Sequence, residues 1–190
     1  MTPHPYPNAR TLHRAQPWQS LPARPLDVRR AIAVHEGGHI VLMRWVGLQP
    51  PAATIHVDAA IASGEAHWPA REFFAALPEP DPDETGVLSS TAASVFHAGI
   101  IAEQIEVGAP WAGPIHYPHA SDYQRAEEML RPRFGCHASG AHAYAQLVAR
   151  HVLESRWPEV DLIATELVRA GRWSNSSLST LSTVCRGKPQ

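Results

Sequence analysis

Between positions 28 and 46, Ile32, Val34, Val41, Leu42 and Trp45 place apolar side chains at helical spacing, and this predicts a helix. Asp27 stands where an N-cap belongs, and Gly47 where a helix stops. "LQPPAA" then enforces a loop. "ATIHVD" (53–58) and "SGEAHW" (63–68) have strand composition and predict a small hairpin. The Pro/acid run "ALPEPDPDETG" (76–86) reads as a loop. A second helical pattern follows over 88–107, with Ala92, Val95, Gly99, Ala102 and Ile105 in period and Gly108 and Pro110 at its end.

After the loop "WAGPIHYPHASD" (111–122), Ser121 or Asp122 opens a helix containing "YQRAEEML". Two further helices meet near Pro158, and the second closes near Gly171. The expected fold class is mainly α with a small β-hairpin or sheet. Residues 1–26 hold Pro3, Pro5, Pro7, Pro17, Pro22 and Pro25, and read as an extended arm. The folded domain is expected over 27–173, with a loose Ser/Thr-rich tail over 174–190.

Composition narrows the function classes. The 190 residues are 44% hydrophobic and 18% charged, an ordinary globular balance with enough chain for a real core. A formal net charge of -2 supplies no basic field, so neither nucleic acid nor a membrane surface is an expected partner. Cys136 and Cys185 are too few for a disulfide framework, which suits a reducing compartment. No apolar run reaches the roughly 18 residues of a membrane span. The first twenty residues lack the apolar core of a secretory signal. Cytoplasmic residence is the expectation.

The chemistry lies in "AVHEGGHIVL" (33–42). His35 and His39 are four apart, on one helical face, where two imidazoles converge on one metal ion. Glu36 lies beside the first and can take a proton from water, which completes the HExxH pattern of two ligands and a general base. With 12 histidines in the chain such a pattern can arise by chance, so its mid-helix apolar context carries weight. Gly37 and Gly38 each cost a helix roughly 1 kcal/mol relative to alanine, which implies that another segment or a substrate backbone approaches there. A catalytic site also needs a third protein ligand. Glu65, Glu103, Asp122 and histidines 56, 67, 97, 116 and 119 are all candidates by residue type, although His97 in its apolar helix reads more simply as a satisfied core histidine.

Three stretches resemble the FtsH family of AAA+ zinc proteases. "AIAVHEGGHIVL" is similar to that family's H-E-A-G-H-A helix, with Gly38 at the family glycine and Gly37 at its alanine. "VFHAGIIAEQIEVG" (95–108) resembles the L-x-G-G-R-A-A-E-E-L-x-x-G stretch, with Gly99, Ala102, Glu103 and Gly108 in register and Ile100 at the arginine. "HASDYQRAEEML" (119–130) resembles G-A-S-N-D-L-x-R-A-T, matching at Ala120, Ser121, Asp122, Arg125 and Ala126.

The resemblance implies a zincin-like, mainly helical peptidase domain that binds Zn2+ through His35, His39 and Asp122, with Glu36 as general base. Glu103 reads as a carboxylate orienting a histidine ring or as a helix surface charge, and is the alternative third ligand of a different HExxH peptidase class. No Walker A motif occurs in the chain, so the ATPase module is absent from it. The expected function is therefore ATP-independent endopeptidase action on flexible or unfolded segments. A zinc-binding interaction module without catalysis is the alternative. A homo-oligomer and a separate ATPase partner both stay open.

Overall fold

A computed structural model describes residues 27–58, 62–67, 87–135 and 138–175. The Pro-rich arm, the acidic loop, both cysteines and the tail beyond 175 lie outside the described residues. Among the described residues, five helices and three strands follow in order: α1 (Val28–Trp45), β1 (Ala52–Val57), β2 (Ala62–Ala66), α2 (Val87–Glu106), α3 (Ser121–Phe134), α4 (Ala138–Ser155), α5 (Trp157–Ala170) and β3 (Arg172–Ser174). The mainly helical class with a small sheet is what the periodicity predicts. No helix among the described residues is long and apolar enough to cross a membrane.

Helix α1 packs against α2, α5 and the sheet, and its segment from Glu36 to Met43 is buried without a break. The glycine pair explains how neighbours come so close. A Cβ on Gly38 would lie 2.7 Å from the Ala98 carbonyl oxygen and 2.8 Å from the Ala102 Cβ, both on α2. A Cβ on Gly37 would lie 3.2 Å from the Val160 carbonyl oxygen of α5. The pair is a notch open on two sides, and helix backbone rather than substrate fills it. Arg30 ties the same three helices, with Nε donating to Glu106 Oε1 at 2.7 Å and Nη2 to Asp161 Oδ1 at 2.6 Å.

The sheet has the order β2-β1-β3 and is antiparallel throughout. Ala53 pairs with Ala66 on one side and Trp173 on the other. The predicted hairpin is present, with each strand starting one residue earlier than expected. Strand β3 includes Ser174, the first residue of the expected tail, whose residues 176–190 lie outside the described residues. Gly171, at φ 71°, ends α5 and reverses the chain into β3, where Ser174 pairs with Ala52 and the Asn175 amide donates to Pro51. Burial of Trp173 against the helices holds this strand in place. Asp27 occupies the N-cap position of α1, but its side chain makes no capping bond. Pro158 sits in the first turn of α5, where a missing N–H costs nothing.

Candidate metal centre

One turn of α1 separates His35 from His39, and their rings meet edge to face with centroids 4.9 Å apart. Asp122, in the first turn of α3, reaches between them. Its Oδ2 lies 3.2 Å from His35 Nε2 and 3.4 Å from His39 Nε2. Among the described residues these three form the one group of ligand-type side chains convergent enough to hold a metal ion.

The opposite nitrogen of each ring is held from behind. His35 Nδ1 donates to Glu103 Oε1 at 2.7 Å, and His39 Nδ1 donates to the Val95 carbonyl at 2.8 Å, both on α2. An acceptor on Nδ1 leaves Nε2 to face inward, which is how protein frameworks orient metal-ligating histidines. The spacing also fits. Ligands about 2.0–2.2 Å from a tetrahedral ion lie about 3.3–3.6 Å from each other, close to the two distances seen here.

Charge also holds the cluster together. Burial opposes protonation of His35, but hydrogen bonds to Asp122 and Glu103, with Glu36 nearby, push its pKa up to about 10. Burial likewise opposes ionisation of Asp122, but the charge of His39 and hydrogen bonds from both rings hold the carboxyl far below the usual range. A divalent ion would replace the proton that His35 and Asp122 otherwise share.

Gly99 of α2 supplies the seat for His35, since a Cβ at that position would overlap the imidazole. Glu36 is buried beside the ligands and lines a cleft of about 360 Å³ with His35, His39, Asp122 and Arg125. The opposite wall is β2. Its backbone passes so close at Gly64 that a Cβ there would lie 2.6 Å from Glu36 Oε1.

The remaining sequence candidates do not join the three ligands. Glu103 lies on the Nδ1 side of His35, away from the point where both Nε2 atoms converge. Glu65 is exposed on β2, across the cleft. His56 is exposed and bonds Asp58 at 3.1 Å, and His67 follows β2 with its amide on Ala52. His116 and His119 are exposed, with His116 packed on Tyr123. His97 is fully buried and bonded to Tyr117 and His142, as a core histidine should be. The Val95 carbonyl had no signal in the sequence, because a backbone acceptor is independent of residue type. Arg125 entered only through the family pattern, and its place in the cleft follows from lying one turn after Asp122.

Compared with known proteins, the chain matches no family model and no curated sequence.

Proposed function

We propose that this chain is a zinc-dependent metallopeptidase that hydrolyses peptide bonds in flexible or unfolded segments. The observation that carries the reading is the convergence of His35 Nε2, His39 Nε2 and Asp122 beside the buried carboxylate of Glu36, in one open cleft. The resemblance of three ordered motifs to FtsH-type peptidases agrees with it. Zinc suits two imidazoles and a carboxylate, and when bound there it polarises a carbonyl and makes water more acidic.

The protein's own residues supply the rest. Glu36 accepts a proton from the attacking water and returns it to the departing amine, which is general base and then general acid work. Glu103 and Val95 hold the rings so that Nε2 stays directed inward. Strand β2 is at the edge of the sheet and forms the cleft wall at Ser63, Gly64 and Glu65. An extended peptide can pair with that edge by main-chain hydrogen bonds, which accept varied side chains.

The test combines elemental analysis of the purified protein with hydrolysis of a fluorescent unfolded casein. One equivalent of zinc and cleavage that falls at least about a hundredfold in Glu36→Gln, with zinc retained, support the reading. Zinc without cleavage would leave a metal-binding module. No metal in protein prepared without chelators would overturn both.

A further inference from the structure

Three buried side chains outside the cleft form a polar chain that the proposed chemistry does not use. Tyr117 Oη lies 2.6 Å from His97 Nδ1, His97 Nε2 lies 2.9 Å from His142 Nδ1, and His142 Nε2 lies 2.6 Å from Glu127 Oε2. Glu127 Oε1 accepts from Arg131 at the surface. Tyr123 stacks on His142 with centroids 4.3 Å apart.

The carboxylate fixes the direction of the first bond, and neutral rings fix the rest. An ionised Glu127 can only accept, so His142 Nε2 donates to it. A neutral His142 then has an acceptor at Nδ1, which takes the proton on His97 Nε2. His97 in turn accepts at Nδ1 from the Tyr117 hydroxyl. Every group is satisfied with both rings neutral. Burial pushes His97 well below the ordinary imidazole value, with His142 adding to the effect, and burial lowers His142 against the pull of Glu127. Against burial, hydrogen bonds from Arg131 and His142 keep Glu127 ionised below the usual carboxylate range.

The chain links the elements that place Asp122. Tyr117 precedes α3, His97 is on α2, His142 on α4, and Glu127 on α3 five residues after Asp122. Where α3 meets α2 and α4, the buried apolar cluster is Ala93, Phe96, Ala126, Leu130, Ala141 and Ala145, with Met129 and Phe134 against it, and its four alanines present little surface to fix the register of α3. Polar bonds of fixed direction can then decide where α3 sits.

We propose that Tyr117, His97, His142 and Glu127 form a one-way hydrogen-bond latch that positions α3 and so holds Asp122 against the two imidazoles of α1. The proposal rests on the metal-centre reading for its consequence, but not for its geometry. His97 and His142 are Nε2–H tautomers, whereas His35 and His39 donate from Nδ1. The four are positioning residues and touch no substrate.

The experiment compares Glu127→Gln, which keeps an acceptor, with Glu127→Met, which keeps the volume without one. Both remove the Arg131 ion pair, so that loss cancels. Three readouts apply: nitrogen-15 spectra of labelled histidines, amide exchange along α3, and Zn2+ affinity by competition with a chromophoric chelator. The expected result is two neutral Nε2–H rings in the wild-type chain, with α3 exchanging faster in the Met variant alone. Zn2+ binding should weaken about tenfold or more in Met and stay near wild type in Gln. An Nδ1–H tautomer at either ring, or equal α3 exchange in the two variants, overturns the latch. A wild-type chain that takes up no Zn2+ overturns the metal-centre reading instead, and the first two readouts still decide the latch.

Discussion

Glu103 holds His35 by the nitrogen that faces away from Asp122, with Oε1 2.7 Å from Nδ1. The carboxylate that rivals Asp122 as a ligand in the sequence thus stands behind a ligand in space. Its effect on a bound ion passes through the ring. Replacing Glu103 with Gln should weaken zinc binding by about 10- to 100-fold without abolishing it, whereas Asp122→Ala should abolish it. Chelator competition on both variants measures the difference. Equal losses would make Glu103 a direct ligand.

The glycine pair should respond asymmetrically to alanine. At both positions alanine gains roughly 1 kcal/mol of helix propensity. At Gly38 the new Cβ would meet the Ala98 carbonyl at 2.7 Å, a rigid neighbour, and overpacking of that kind costs typically 1–3 kcal/mol. At Gly37 the nearest atom is the Val160 carbonyl oxygen at 3.2 Å, which a few tenths of an ångström would relieve. Urea denaturation should find Gly38→Ala less stable than Gly37→Ala, with Gly37→Ala close to wild type. The reverse order would contradict the crossing geometry.

Metal-free protein should become less stable as pH rises above neutrality. His35 has its pKa raised in the fold to about 10, so its contribution is complete below the ordinary value of 6.5 and is lost as pH climbs towards 10. Asp122 has its pKa lowered, so its contribution is present above the ordinary value of 3.8 and declines as the solution becomes more acid. Denaturation of EDTA-treated protein at pH 6, 8 and 10 should show the alkaline decline. Zinc uptake at pH 7 should release a proton from His35, seen as a calorimetric heat that changes with the buffer's ionisation enthalpy. A flat stability profile and a buffer-independent heat would remove the proton from His35.

Gly64 offers a way to perturb Glu36 and leave the ligands alone. A Cβ there would press on Glu36 Oε1 and Ile32 Cγ2, each at 2.6 Å, and both are side-chain ends able to shift. Gly64→Ala should therefore lower peptide hydrolysis about tenfold or more by displacing the base, while zinc affinity changes little. Paired turnover and metal-affinity measurements check it. Loss of zinc together with activity would mean that β2 supports the ligands as well.

Helices α1, α2 and α3 were legible because each carries its own periodicity and its own punctuation, from Gly47 to Ser121. The hairpin was legible from composition. β3 was not, because three residues after a helix have no periodicity, and Arg172–Ser174 become a strand only where β1 offers an edge and Trp173 finds the core. The site divided in the same way. His35, Glu36 and His39 announce themselves because helical geometry alone puts four residues on one turn. Among the acids and histidines that were candidates for the third ligand, residue type could not choose, and only the family resemblance pointed to Asp122.

The local pattern by itself therefore determined a helical domain, a pair of imidazoles on one face and a carboxylate beside them. Only the tertiary structure decided that Asp122 meets both Nε2 atoms, that Glu103 and the Val95 carbonyl meet the Nδ1 atoms, and that Gly38 admits α2 rather than a substrate. The reason is range. Backbone periodicity acts over one or two turns, whereas the approach of α3 to α1 depends on how α2 and α4 pack against both.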